Sequence, residues 1–204
     1  MDLLSSPSSP FVRKCRVLAI ETGVDRDITI VTVGVTPVAP NDRVNANNPV
    51  GKIPVLVLDD GSALHDSRVI AEYLDSLHAS ARMFPDEPAA RWRSLRLQSI
   101  GDGIMDAGVL MRFDSNVRPE PYRWQDFHDA QAGKVTRALD ALEAEVADLG
   151  DDASIGTIAV ACALGYLDFR FANIIDWRAG RQGLAAWYAR FAARPSMQET
   201  MPSG

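Results

Sequence analysis

The sequence predicts an α/β half followed by an all-helical half. Short β-branched runs and turn signals are confined to the first 80 residues, whereas every periodic apolar segment from residue 89 onward has helical spacing. A proline-containing stretch separates the two regions and forbids a continuous helix. We therefore expect one domain over residues 1–80, a linker over 81–88 and an all-helical domain over 89–204.

The chain opens with a predicted strand, a polar loop and a helix. Proline is favoured in the first turn of a helix and glycine just after the last, so this helix should begin at Pro10 and end at Gly23. Its apolar stripe consists of Val12, Val17, Leu18 and Ile20. A second β-branched strand is predicted over residues 27–35.

The segment from Asn48 to Asp75, N-P-V-G-K-I-P-V-L-V-L-D-D-G-S-A-L-H-D-S-R-V-I-A-E-Y-L-D, is the most informative part of the chain. A short β-branched run over 55–58 and the turn signal D-D-G predict a hairpin, and a helix should follow Asp66. Proline cannot donate to a sheet ladder, which places Pro54 at the first residue of a strand. A cis Ile53–Pro54 bond would leave backbone groups turned outward, where an extended peptide could pair with them.

The second half reads as a series of helices. A long helix should begin near Ala89; its three glycines favour close packing or ligand approach, because glycine otherwise weakens a helix. These glycines are Gly101, Gly103 and Gly108. A loop over 116–121 precedes predicted helices over 123–149, 154–171 and 184–193.

Composition limits the possible classes of protein. The chain has 204 residues, 47% of them hydrophobic, and no apolar run approaches the roughly 18 residues of a membrane span. We expect a soluble cytoplasmic protein that does not bind membranes, with no signal peptide. The net charge of -6 argues against nucleic acid as a partner. Four arginines cluster near the predicted domain boundary: Arg82, Arg91, Arg93 and Arg96. We interpret them as part of a solvated helix face, and the alternative is that they bind an anion.

Cysteine and histidine usage predicts neither a disulfide nor a metal site. Cys15 and Cys162 fall on apolar faces of helices in different predicted domains, so core packing is the expected role. His65, His78 and His128 lack the spacing of metal ligands and are expected to be structural.

Several motifs together resemble the glutathione S-transferase family. They are S-P-F-V-R-K, the segment from Asn48 to Asp75, D-G-I-M-D-A-G and C-A-L-G-Y-L-D-F-R, and the likeness covers nearly all of the chain. The resemblance implies a thioredoxin-like domain followed by an all-α domain. It also implies a homodimer with glutathione as co-substrate and no other cofactor.

Ser9 is the predicted catalytic residue. It precedes Pro10 at the start of a helix, where free backbone N–H groups and the helix dipole favour negative charge. By resemblance, its hydroxyl would stabilise the glutathione thiolate, and Phe11 of the same Ser-Pro-Phe start would belong to the binding site. The alternatives are that Ser9 only caps the helix, or that Ser5, Ser6 or Ser8 contacts the sulfur.

The other predicted binding residues flank the hairpin. The γ-glutamyl end of glutathione carries a carboxylate and an ammonium on one carbon, so the pair Asp66-Ser67 supplies the matching acceptor and donors. A plain helix cap is the alternative. By resemblance, the Ile53 backbone would pair with the cysteinyl unit and Lys52 would reach the glycyl carboxylate; most relatives carry Glu where Asp66 stands.

The helical half offers weaker predictions. Asp102 and Asp106 share one helix face, where like charges repel unless a cation lies between them. The resemblance implies that this helix borders the cleft, so that one of the two acids would meet the ligand ammonium, within the chain or across a dimer interface. The alternative is that both are exposed acids on a polar stripe. S-I-G-T at 154–157 resembles a capping box of the family in which Thr157 replaces the usual Asp. Asp168 is predicted to be a buried acid paired with an arginine.

The resemblance implies that the glutathione thiolate is conjugated to a small electrophile whose identity the residues do not specify. Two alternatives remain. One is a glutathione-dependent thiol-disulfide or peroxide reductase, which the absence of cysteine at position 9 disfavours. The other is a non-catalytic glutathione-binding module.

Overall fold

The first domain is built on a four-stranded mixed sheet. Strands β1 (Asp2–Ser5), β2 (Thr29–Thr32), β3 (Val55–Val57) and β4 (Ala63–Leu64) lie in the order β2-β1-β3-β4. β1 is parallel to β2 and antiparallel to β3, and β3 is antiparallel to β4. The computed structural model describes all residues, 1–204. Because successive strand residues face opposite sides, each strand contributes to two packing layers.

Helices cover both faces of this sheet. Helices α1 (Pro10–Thr22) and α3 (Ser67–Ser76) pack on the face that carries Leu3 and Leu56. Helix α1 ends as predicted, at Gly23 in the left-handed conformation with φ of 75°. The opposite face is covered by the short helix α2 (Asp42–Asn47).

Two local features of this domain were not predicted correctly. The predicted strand over 27–35 is shorter, since a 3-10 helix occupies Val24–Asp27 and only Thr29–Thr32 pairs with β1. Helix α2 lies in a stretch for which the sequence analysis assigns no helix or strand. It has one fully buried apolar residue, Val44, which leaves no helical periodicity to detect in the sequence. Asn41 caps it by accepting a hydrogen bond from the Val44 N–H at 3.1 Å.

The second domain is entirely helical. Its helices are α4 (Pro88–Asn116), α5 (Gln125–Ala144), α6 (Val146–Leu149), α7 (Ile155–Phe171), α8 (Gln182–Ala192) and α9 (Pro195–Glu199). The helix predicted over 123–149 is interrupted at Glu145, and α9 was not predicted because five residues are too few to show a period. No helix combines the length and apolarity that crossing a bilayer requires.

Helices α4 and α7 run parallel and pack closely through two of the three glycines. A Cβ at Gly101 would lie 2.6 Å from the Ala159 carbonyl carbon, and one at Gly108 would lie 3.0 Å from the Tyr166 ring. The prediction of close packing is therefore confirmed at these two positions. Gly103 has no neighbouring atom within 4 Å and faces solvent.

We expect Gly101→Ala and Gly103→Ala to change stability in opposite directions. The first forces α4 and α7 apart, and overpacking of this kind costs roughly 1–3 kcal/mol. The second adds a methyl group in open space and should stabilise the helix by about 0.5–1 kcal/mol. Urea unfolding of both variants tests this. Equal destabilisation by the two substitutions would contradict the close contact at Gly101.

One buried carboxylate ties the linker to the first domain. Asp75, on α3, accepts hydrogen bonds from the backbone N–H groups of Met83 at 2.7 Å and Phe84 at 3.2 Å. It also lies 3.1 Å from Nε2 of His78, whose other ring nitrogen is 2.7 Å from the Ser80 hydroxyl. His78 is thus the structural histidine that was expected.

The two domains share one apolar core. Residues of α1 and α3 belong to the same buried cluster as residues of α4, α5, α7 and α8. Helix α7 is buried on nearly all sides and forms the centre of the second domain. The capping box at its start is present: Ser154 Oγ accepts from the Thr157 N–H, and Thr157 Oγ1 accepts from the Ser154 N–H at 2.8 Å.

Candidate functional site

A cleft of about 940 Å³ lies between the two domains. The first domain contributes the start of α1, the segment before β3 and the start of α3, while α4 and α7 form the opposite wall. All the residues predicted from the sequence for this site line the cleft. They are Ser9, Phe11, Lys52, Ile53, Asp66, Ser67, Asp102 and Asp106.

Ser9 is the N-cap of α1 and is half-buried at the edge of the cleft. Its Oγ accepts a hydrogen bond from the Val12 N–H at 3.3 Å, so the hydroxyl proton is free to be donated elsewhere. Among the alternatives, Ser5 is buried in β1 and does not line the cleft. Ser6 and Ser8 do line it, with their hydroxyls 3.1 Å apart.

Ile53 presents a free backbone to the cleft. Its N–H and C=O make no hydrogen bond within the chain, and the Ile53–Pro54 bond is cis. Asn48 fixes the preceding loop by donating from Nδ2 to the Lys52 carbonyl at 2.8 Å. The Lys52 side chain is exposed and forms no ion pair within the chain.

The start of α3 combines an acceptor with donors. Asp66 is the N-cap, and its Oδ1 accepts from the Arg68 N–H at 2.9 Å. Its other carboxylate oxygen has no partner. Ser67 is buried, yet its hydroxyl makes no hydrogen bond within the chain and the residue lines the cleft. The His65–Asp66 peptide bond is cis.

Asp102 forms ion pairs with two cationic side chains of the first domain. Its side chain is 1% exposed; Oδ1 accepts from Lys14 Nζ at 2.6 Å and Oδ2 from Arg68 Nε at 2.8 Å. The expectation of an exposed acid on a polar stripe was therefore wrong for Asp102. Lys14 itself is fully buried, so this triad fixes α4 against α1 and α3 at the base of the cleft.

Asp106 is the acid of this helix that remains free. It lies one turn beyond Asp102, is exposed to the cleft and forms no ion pair. Partial desolvation and the Asp102 carboxylate raise the pKa of Asp106, while the charges of Arg68, Lys52 and Lys14 act in the opposite direction.

The cysteines lie outside the cleft. Cys15 and Cys162 are fully buried, and both are free. Burial raises the pKa of Cys15 to about 12 and that of Cys162 to about 11, so neither thiol ionises near neutral pH. Their assignment to core packing agrees with this environment.

Two other sequence features also lie elsewhere. Asp168 pairs with Arg178 through two hydrogen bonds at 2.6 and 2.8 Å, but it is half-buried rather than buried. In the arginine cluster, Arg91 pairs with Glu72 at 2.7 Å and Arg96 pairs with Glu145. This cluster is a solvated face with ion pairs.

Sequence reasoning missed several polar residues of the cleft, namely Arg68, Arg112, Tyr166 and Arg170. It also missed the buried Lys14, which pairs with Asp102 behind the cleft wall. Lys14 and Arg68 stand within the quoted motifs, but only the fold brings them to Asp102. Arg112 and Arg170 are far apart in sequence and meet through the packing of α4 on α7.

The arrangement suits an extended ligand with charged ends and a central thiol. Residues 8–77 match the family "Glutathione S-transferase, N-terminal domain", and residues 125–190 match "Glutathione S-transferase, C-terminal domain". The chain belongs to the glutathione S-transferase family.

Individual relatives are similar over their full lengths. The "Uncharacterized GST-like protein YibF" of Escherichia coli (strain K12) is 36% identical over 205 residues, which cover 99% of this chain and 98% of that protein. A glutathione transferase family member from Pseudomonas fluorescens Pf-5, crystallised with bound glutathione, is 46% identical. It superposes with a TM-score of 0.97, covering 100% of this chain and 99% of the other.

A second crystal structure of a Pseudomonas fluorescens Pf-5 family member contains S-(propanoic acid)-glutathione. It is 44% identical, has a TM-score of 0.92 and covers 100% of both chains.

Proposed function

We propose that this protein binds glutathione in the interdomain cleft and conjugates its thiolate to small electrophiles. The observation that carries the proposal is the juxtaposition of a free Ser9 hydroxyl with an unpartnered Ile53 backbone and the donor–acceptor pair at the start of α3. The Pseudomonas relatives with bound glutathione and with a glutathione thioether support it.

Binding would use both ends of the tripeptide. The free Asp66 oxygen accepts from the γ-glutamyl ammonium, and the Ser67 hydroxyl and N–H donate to the γ-glutamyl carboxylate. Asp106 gives the ammonium a second acid, since Asp102 is already paired. Lys52 provides a cation for the glycyl carboxylate, and the Ile53 backbone pairs with the cysteinyl unit.

Ser9 would then act on the sulfur. A thiol of pKa about 8.5 is mostly protonated at neutral pH, and a donated hydrogen bond favours its thiolate. The N-terminus of α1 adds the positive end of the helix dipole. Phe11, the second residue of the same helix, lines the cleft beside this position and supplies apolar contact.

The reductase alternative is weakened by the positions of the cysteines. A mixed-disulfide route needs an accessible thiolate, whereas both cysteines are buried and their pKa values are raised to about 12 and about 11. A non-catalytic module would bind glutathione without lowering the pKa of its thiol.

A panel of assays with one purified preparation separates these alternatives. We expect conjugation of an aryl chloride at a measurable kcat/KM and no reduction of a glutathione mixed disulfide above the uncatalysed rate. Reduction of disulfide or peroxide without conjugation would overturn the proposal. Glutathione binding with no activity in any assay would overturn the proposed conjugation and favour a non-catalytic glutathione-binding module.

We also propose that the protein is a homodimer. Two hydrophobic side chains are exposed to solvent: Val69 on α3 is 47% exposed and Trp92 on α4 is 70% exposed. Near them, an ion pair of 2.7 Å between Glu72 and Arg91 joins the two helices. Light scattering should give twice the chain mass of 22.2 kDa. A mass of one chain at micromolar concentration would contradict the dimer.

A further inference from the structure

The helical wall of the cleft carries two arginines that pair with no Asp or Glu side chain. Arg112 on α4 makes no hydrogen bond or ion pair within the chain, although it is half-buried and lines the cleft. Arg170 on α7 donates to a backbone oxygen of Gly204, the last residue of the sequence, at 2.9 Å, and stacks over the Phe169 ring at 3.9 Å from its centroid. By contrast, Arg118, just after α4, pairs with Asp114 at 2.6 Å.

The packing of α4 on α7 brings these two arginines together. Gly108 faces the Tyr166 ring, and the helices are parallel. One turn further along each helix, Arg112 therefore lies opposite Arg170. The electrostatics agree, because desolvation and the Arg112 charge lower the pKa of Arg170.

Tyr166 adds a third donor to the same wall. Its ring is buried against Gly108 and Phe171, and its hydroxyl makes no hydrogen bond within the chain. Burial raises the pKa of Tyr166, so the phenol stays protonated and able to donate. No Asp or Glu side chain pairs with any of the three groups, in a protein whose net charge is -6.

We infer that this part of the cleft binds a carboxylate on the acceptor molecule, held by Arg112 and Arg170 with Tyr166 as an additional donor. Two guanidinium groups that face each other repel unless an anion lies between them, and their planar forks match a carboxylate. The inference rests on the proposed function, because the carboxylate is placed relative to bound glutathione. The favoured acceptor molecules would then be electrophiles that carry a negative charge.

A binding experiment tests the inference without requiring turnover. The probes are S-carboxymethyl glutathione and its neutral carboxamide counterpart, which have nearly the same size and differ in one charge. By calorimetry, the wild-type protein should bind the acid about tenfold more tightly than the amide, the scale expected of hydrogen bonds to a charged group. Arg112→Gln should remove most of this preference, and the double variant Arg112→Gln/Arg170→Gln should remove all of it.

The matched control is Arg137→Gln. Arg137 is an exposed arginine on α5 outside the cleft, so this variant loses the same charge and should keep the tenfold preference. Arg112 makes no hydrogen bond within the chain, so the single variant decides the question if the double variant is unstable.

Glutathione itself, titrated in parallel, separates the two possible failures. Equal binding of acid and amide by the wild type, or an acid preference that survives in the Arg112→Gln variant, overturns the inference and leaves the proposed function intact. Binding of neither the probes nor glutathione overturns both.

Discussion

Asp66→Asn should remove half or more of the stabilisation of this protein by glutathione. Asn caps a helix as well as Asp does, so the cap on the Arg68 N–H is retained and only the charge is lost. A hydrogen bond to a charged group contributes roughly 1.5–3 kcal/mol, which corresponds to about 10- to 100-fold in Kd. Glutathione at 100 times its wild-type Kd stabilises the fold by about 2.7 kcal/mol, which should fall to about 1.4 kcal/mol for a 10-fold rise in Kd and to about 0.4 kcal/mol for a 100-fold rise.

Thermal melting with and without glutathione measures this effect. The ligand-free melting temperatures of the wild type and Asp66→Asn should be nearly equal, whereas Asp66→Ala should also lose about 1 kcal/mol from the missing cap. An unchanged glutathione shift in Asp66→Asn would remove Asp66 from the binding site and leave it as a helix cap.

Ser9→Ala should lower kcat for conjugation by about 10²-fold while leaving the affinity for glutathione nearly unchanged. A loss of about 10²-fold in kcat is typical when one preorganised hydrogen-bond donor to a negatively charged reacting atom is removed. Affinity should persist because, in the proposed binding mode, Asp66, Ser67 and Lys52 hold the charged ends of the tripeptide. Steady-state kinetics should therefore show a loss in kcat with little change in KM for glutathione.

Ser8→Ala is the matched control for this substitution. Ser8 lines the same cleft, and its hydroxyl lies 3.1 Å from that of Ser6 rather than at the cap of α1. We expect Ser8→Ala to keep most of the turnover. A larger loss in Ser8→Ala than in Ser9→Ala would transfer the sulfur-binding role to Ser8.

The sequence was sufficient to predict the elements that carry strong local signals. Pro10 and Gly23 mark the ends of α1, and the proline of the Ile53–Pro54 pair marks the start of β3, because backbone restrictions act at those residues themselves. The same reason explains why Asp66 could be assigned to the start of α3. These elements place the first-domain half of the cleft.

The other half of the cleft depends on contacts that no local pattern encodes. Asp102 meets Lys14 and Arg68 only after α4 packs on α1 and α3, so its burial could not be read from helical spacing. Arg112 and Arg170 become neighbours only because Gly108 lets α4 approach Tyr166. A polar residue on a helix stripe has the same sequence signature whether it faces solvent or a cleft.

The most direct test of the central claim is an ultraviolet titration of the bound glutathione thiolate in the wild type and in Ser9→Ala, with melting curves of both. If Ser9 donates to the sulfur, the midpoint for the wild type should lie below the value of about 8.5 for a free thiol, and the variant should titrate about one pH unit higher than the wild type. Equal midpoints together with a lowered melting temperature would contradict this role and leave Ser9 as a helix cap.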